Sequence, residues 1–446
     1  MTPRIFKRKI YSKLLDWKRE SKGKTALLIE GPRRVGKSTI TKIFAQNEYE
    51  SYIAIDFNLA SSHIKDLFND LTDLDYIFLT LQSEYKIQLH KRKSLIIFDE
   101  VQKCPSARQA IKYLVADGRY DYIETGSLIS IKQNTKDITI PSEEEAIDMY
   151  PMDFEEFQWA LGDEVTFELL RKIWDSQKSI DVAHRKLMRD FRLYMLVGGM
   201  PQAVLEYIET NNLSSVDKVK RRIIKLYEDD FLKIDPSGRI SKLFKAVPGQ
   251  LNRKSVKFST SGVIGKQSTL SMWELIKSLE DSKTVNVVYR CDDPNVGMSL
   301  TADINQFKIY LADTGLFVTL AFWDSDSVDN IIYNKLLSDK LSANLGYVYE
   351  NVVSQLLVSS GCRPYYYTWR YDEKHFYEID FLIQRRLKIC PIEVKSSSII
   401  SHKSLDVFMK KFSARVDRGY LISPKEYRKD GNVTVLPPYY TSFLGS

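Results

Sequence analysis

Apolar residues fall along this chain in three rhythms. In the front they come as short solid runs, within Ala26–Ile29, Tyr52–Phe57, Ser94–Phe98 and Tyr120–Thr125. Runs of that length, with little alternation, predict strands of a parallel sheet covered on both faces. Helical spacing appears before and between them: Ile10, Leu14 and Trp17 share one face, and Ile40 to Gln46 reads as a helix. The first of these predicts a helix packed on the sheet domain. In the middle, Phe167 to Asp235 keeps a helical period, as at Leu187, Phe191, Tyr194 and Met195. That predicts a bundle. Its basic stretch Lys218 to Lys225 reads as a solvated face, with a phosphate-binding surface as the alternative. Ile240 to Arg290 then offers helix, a break rich in Gly, Ser and Thr, helix (Leu270 to Leu279) and strand (Val285 to Arg290), an order that suits a winged helix. The last third predicts a helix over Leu345 to Leu357 and two strands of period two, Phe376–Ile383 and Ile389–Lys395.

The chemistry sits at the ends of the front strands. Ala26–Ile29 runs into Gly31-Pro32-Arg33-Arg34-Val35-Gly36-Lys37-Ser38-Thr39. Strand, glycine-bounded loop, lysine, hydroxyl and helix are the parts of a triphosphate-binding loop. The glycines free backbone N–H groups to cradle phosphates at a helix N-terminus. Lys37 is expected on the β- and γ-phosphates of ATP, and Ser38 on Mg²⁺. The strand ending Phe98-Asp99-Glu100 supplies the partner carboxylates: Asp99 for the Mg²⁺ shell, Glu100 for the attacking water. Thr125 or Ser127, at the tip of the next strand, are candidates to sense the γ-phosphate, against the plainer reading of a turn of small polar residues.

A second cluster is expected in the last third. Period two places Glu378 and Asp380 on one face, and Glu393 with Lys395 on one face of the returning strand, across the basic turn Gln384 to Lys388. Neighbouring strands would bring Asp380, Glu393 and Lys395 together. Such oxygens suit a divalent metal and a water poised against a phosphodiester. Glu350, on the inward stripe of its helix, is a further candidate ligand. The plain alternative is a hairpin with a surface Glu–Lys pair.

The 446 residues have room for about three domains, and 43% hydrophobic with 28% charged residues is globular composition. No apolar run nears the ~18 residues of a membrane span, so no membrane partner is expected. Residues 1–24 carry nine Lys or Arg without a hydrophobic core, unlike a secretory signal; a transit peptide is the alternative to the packed helix. Four scattered cysteines suit a reducing cytoplasm. The net charge of +7 leaves DNA or RNA open as partners.

Four stretches carry a family likeness: residues 31–38, Phe-Asp-Glu-Val-Gln-Lys at 98–103, Thr-Gly-Ser at 125–127 and Tyr-Pro-Met-Asp-Phe-Glu-Glu-Phe at 150–157. They resemble the prokaryotic AAA-family ATPases with a C-terminal domain assigned to the PD-(D/E)xK nuclease-like fold. Asp380, twelve residues and Glu393-x-Lys395 match that fold's spacing, with Ile379 where its proline usually stands. The Asp313-Thr-Gly-Leu316 stretch matches the family's junction. Gly198-Gly-Met-Pro201 is similar to the lid motif of signalling-type ATPases, which implies that Pro201 touches the nucleotide; a first-turn proline is the alternative. The resemblance implies an α/β P-loop ATPase domain (1–160), a helical lid (161–237), a winged helix (238–302) and a nuclease-like domain (303–446). It implies nucleotide control of a nuclease-like domain acting on nucleic acid, or else a protein-interaction switch whose nuclease-like domain no longer cleaves. The family's Gly-Arg pair is missing: no arginine stands between Arg119 and Arg171. Arg33, Arg34, Arg119 or a neighbouring subunit of a homo-oligomer would have to replace it.

Overall fold

The computed structural model describes residues 4–126, 141–177, 180, 182–253, 255, 257–323, 337–338, 346–372, 376–396 and 401–445. They form two compact units, one of residues 5–150 with 281–283, the other of residues 151–280 and 284–446 with Arg4.

The first unit is a five-stranded sheet: β1 (Ala26–Glu30), β2 (Ser51–Asp56), β3 (Ser94–Asp99), β4 (Asp121–Thr125) and β5 (Glu144–Asp148). Its order is β2-β3-β4-β1-β5, parallel throughout. Leu27, Ile29, Leu95, Ile97 and Ile123 face a core shared with α1 (Ile10–Ser21) and α2 (Lys37–Glu48). Ile10, Leu14 and Trp17 are buried there, as their spacing predicts. The alternate residues Leu28, Ile53, Ile96, Phe98 and Tyr122 face the other core, beneath α3 (Leu74–Tyr85) and α4 (Pro105–Asp117). Burial on both faces explains why these strands read as unbroken apolar runs. β5 does not follow that rule and was not expected. It is an edge strand of sequence Glu-Glu-Ala-Ile-Asp, held by backbone pairing to β1 and by an Arg108–Glu144 ion pair of 2.8 Å, almost wholly buried.

The second unit begins with Phe154–Ala160, capped at Asp153: its carboxylate accepts from the Glu156 N–H (2.9 Å) and the Glu156 carboxylate from the Asp153 N–H (3.1 Å). This reciprocal cap, worth ~1 kcal/mol, accounts for the Asp-Phe-Glu-Glu spelling. Helices Thr166–Ser176, Val182–Val197, Pro201–Thr210 and Leu213–Ile234 make the expected bundle. The basic stretch in the last of them is not simply a solvated face. Lys220 is buried and donates to the carbonyls of Leu196 (2.6 Å) and Gly315 (3.2 Å), and Arg221 pairs with Asp217 at 2.7 Å. Burial pushes the Lys220 ammonium down to about 8.

Helices Arg239–Asn252, Thr260–Ile264 and Thr269–Asp281 precede an eight-stranded mixed sheet of β6 (Val285–Cys291), β7 (Ala302–Leu311), β8 (Tyr365–Arg370), β9 (Phe376–Arg385), β10 (Lys388–Val394), β11 (Gly419–Ile422), β12 (Arg428–Asp430) and β13 (Val433–Leu436). The order is β12-β13-β11-β10-β9-β8-β6-β7. β6 pairs with β7 and, at Tyr289 and Arg290, with β8. The sequence division after 302 therefore falls at the start of β7, within one sheet. Ile379, Leu382, Ile389 and Leu421 bury one face with Lys403–Lys411, while Gly346–Ser359 packs on β7 and β10. No described helix is long and apolar enough to cross a membrane.

Candidate functional site

β1 delivers the chain to Gly31, where a Cβ would lie 2.3 Å from the Met149 carbonyl oxygen. Only glycine fits. Arg34 (φ 69°) and Gly36 (φ 104°) are left-handed and turn the loop into the first turn of α2. Pro32 and Val35 are buried beneath it, whereas Arg34 and Thr39 are exposed. Lys37 is buried, and its ammonium donates to the carbonyls of Gly31 (2.9 Å) and Pro32 (3.0 Å). Burial pushes it down to about 8, against the pull of the Glu100 and Asp99 carboxylates; Arg33 adds to the lowering.

Ser38 donates to Asp99 Oδ1 at 2.7 Å, and the Thr125 hydroxyl donates to that same oxygen. The strand order produces this convergence. β4 lies between β1 and β3, so its tip stands beside both the loop and Asp99. Glu100, just past β3, is half-buried, left-handed at φ 57°, and accepts from the Gln102 amide at 2.5 Å. Non-glycine residues held in that region cluster at functional sites.

Lys37, Ser38, Asp99, Glu100 and Thr125 are thus brought together. Ser127 lies outside the described residues. Pro201 belongs to the second unit, at the first position of its helix. The glycines before it pack on the Asp313 stretch: Gly199 N–H donates to Asp313 (2.5 Å), and a Cβ on Gly315 would lie 2.6 Å from the Gly198 Cα. Arg119 does not stand beside the loop of its own chain. It precedes β4, at the sheet edge opposite the loop, and pairs with Asp117 (2.8 Å) and Asp75.

The second cluster gathers on β9 and β10. Their register, Ile392 opposite Phe381, sets Asp380 and Glu393 opposite one another one step on. Asp380 accepts the Val394 N–H at 2.7 Å, and Lys395 pairs with Glu393 at 2.7 Å. Glu350 projects from Gly346–Ser359; burial pushes its carboxyl well up, Asp380 and Glu378 add repulsion, and Lys308 and Lys395 oppose it. Glu378 pairs with Lys308 of β7 and is also raised by burial. Glu393 is raised too, and its Oε2 is buried with no hydrogen-bond partner among the described residues. Oxygen donors and an orphaned carboxylate oxygen suit a hard cation. As the side chains stand, though, no three His, Cys, Asp or Glu among the described residues converge to hold one. Lys308 is a participant that the sequence reading missed. Its position amid Phe307, Ile309, Tyr310 and Leu311 was the available signal.

Residues 23–158 match a family model described as an AAA domain. Residues 188–327 and 345–440 match two domains of unknown function, DUF8612 and DUF4143. No curated protein matches the chain. Among solved structures, the chain is similar to a Walker-type ATPase of Pyrococcus abyssi (16% identity, 71% of this chain and 96% of that one, TM-score 0.42). It is also similar to the Aeropyrum pernix Orc1 protein in complex with DNA (11%, 75% and 93%, TM-score 0.27). A third is a signal-transduction ATPase of Pyrococcus horikoshii with a tetratricopeptide repeat sensor (11%, 79% and 48%, TM-score 0.27). The family match, with the loop geometry above it, makes the front of the chain an AAA-type P-loop ATPase domain.

Proposed function

We propose that the chain binds and hydrolyses Mg-ATP and that its nucleotide state controls a nuclease-like C-terminal region acting on nucleic acid. The observation that carries the first half is the convergence of Ser38 and Thr125 on one oxygen of Asp99 beside Lys37. Lys37 exchanges two backbone carbonyls for the β- and γ-phosphates. Ser38 and Asp99 hold Mg²⁺, which supplies charge neutralisation on those phosphates. Glu100 orients and deprotonates the attacking water, and Thr125 reads the γ-phosphate. With no arginine between 119 and 171, rapid turnover requires Arg33 or Arg34 of the loop, or an arginine from a second subunit or a partner, to take that role.

In the C-terminal region, Asp380 and Glu393, with Glu350, are the residues to hold a second divalent metal, and Lys395 is the one to orient water at a phosphodiester. Lys257 and Lys266, together with Lys254, which lies outside the described residues, are the candidates to touch the nucleic-acid backbone without reading sequence. A second reading is favoured by the present pairing: Glu393 is engaged by Lys395 and Asp380 by the Val394 N–H. On that reading the region binds without cleaving, and the chain is a nucleotide-controlled interaction switch. Plasmid nicking by the full chain in Mn²⁺, with and without ATP, decides between them. Nicking that changes with ATP supports the first reading; intact plasmid under every condition leaves the second.

A further inference from the structure

The β9–β10 turn lies at the far end of that hairpin from the carboxylates. Arg385 lies five residue steps along β9 from Asp380, ~16 Å at ~3.3 Å per step. The turn is two residues long, Arg386 and Leu387, and Arg386 holds φ 56°. A first turn position in that conformation favours glycine. An arginine kept there suggests that its side chain is used.

Arg386 stands over a cavity of about 540 Å³, bounded by this turn, by the residues leading into β11 and by the end of Thr166–Ser176. Lys388 and Arg418 line it as well, and none of these three cations has an ion-pair partner among the described residues. Trp174 supplies an aromatic wall. The Tyr427 hydroxyl, also in the lining, is shut from solvent without a hydrogen-bond partner. Asp175 and Asp417 are the opposing carboxylates. The volume is that of a small-molecule site. The lining combines cations for a phosphate, a ring for a planar base and carboxylates for sugar hydroxyls or base amino groups.

We propose that this cavity binds a nucleoside phosphate, with its phosphate on Arg386, Lys388 and Arg418 and its base against Trp174. The ligand is either a free nucleotide or the phosphorylated end of a nucleic-acid strand. The site depends neither on the phosphate loop nor on cleavage by the Asp380–Glu393 cluster.

Calorimetry on the full chain in EDTA, without divalent metal, tests it with three probes: AMP, a 5′-phosphorylated tetranucleotide, and the same tetranucleotide without its phosphate. A phosphorylated probe should saturate at one per chain, and the unphosphorylated strand should bind at least tenfold more weakly. Arg386→Gly, which suits the backbone and should not lower the melting temperature, should weaken binding at least tenfold, as should Arg418→Ala. Arg363→Ala, in a neighbouring cavity of about 520 Å³ that shares Arg385 and Arg386, should leave it unchanged. Tighter binding of AMP assigns the free nucleotide, and tighter binding of the phosphorylated strand assigns the strand end. Absence of saturable binding, equal affinity in Arg386→Gly and Arg418→Ala, or indifference to the 5′-phosphate overturns the proposal.

Discussion

At the phosphate loop, two hydroxyls share one oxygen of a single carboxylate, and the lysine rests on neutral carbonyls. Around β9 and β10, the carboxylates of Glu350, Glu378, Asp380 and Glu393 crowd together, and lysines pair with two of them, Lys308 with Glu378 and Lys395 with Glu393. The first arrangement gains by admitting an anion, because its cation has no carboxylate of its own to give up. In the second, a ligand competes with internal ion pairs for Glu378 and for one oxygen of Glu393. Motif-bearing residues are close in both, yet only one set stands ready.

Removing the base should separate readiness from turnover most sharply. Glu100→Gln keeps a hydrogen-bonding group of the same size but cannot take a proton, so hydrolysis should fall ~10²–10⁴-fold. Nucleotide affinity should stay within about threefold. Parallel steady-state assays and equilibrium binding check it, and lost binding would place Glu100 in the cradle instead.

In the crowded cluster, Asp380→Asn removes one of the repelling charges while its amide oxygen still accepts the Val394 N–H. The folded chain should be as stable as wild type or more so, and any cleavage should drop at least a hundredfold. A melting curve beside a nicking assay reads both, and a strongly destabilised variant would mean that the negative charge itself holds the fold.

Smaller is the ligand-linked effect. At about a hundred times its dissociation constant, Mg-ATP should stabilise the wild type by ~2.7 kcal/mol, and Lys37→Ala should lose most of that gain. Equal melting shifts in the two proteins would contradict the loop assignment.

Lys220 offers the mildest test, since it too is a buried lysine on carbonyls but meets no proposed ligand. Its folded value of about 8 lies below the unfolded 10.5. Between those values the unfolded chain binds a proton that the folded chain does not, so stability rises with pH. Relative to Lys220→Met, the wild type should gain ~1 kcal/mol per pH unit across that window. Unfolding midpoints at pH 7.5, 8.5 and 9.5 measure the difference, and parallel lines would reject it.

What the sequence made legible follows from these environments. β1 to β4 are covered on both faces, so burial wrote itself as apolar runs, and the loop's glycines were required by the close approach of Gly31 to Met149 and by the left-handed backbone at Gly36. The facing of Asp380 and Glu393 was legible because alternation fixes sidedness in a hairpin. β5 escaped because its buried Glu144 is neutralised by Arg108, 36 positions earlier. Lys220 and Lys308 escaped for the same kind of reason: each is buried by a partner distant along the chain, Gly315 and Glu378 respectively, and local pattern does not register such partners.

The contact between Gly198 and Gly315 bears on how the protein is made. Gly199 N–H and the Lys220 ammonium wait for Asp313 and the Gly315 carbonyl, more than ninety residues downstream of either. During synthesis the helical bundle therefore emerges with a slot that only a later segment fills, backbone against backbone, with no side chain to cushion a poor fit. A nascent chain stalled before Asp313 should hold these helices loosely and be cut there by protease. One released after Leu320 should resist.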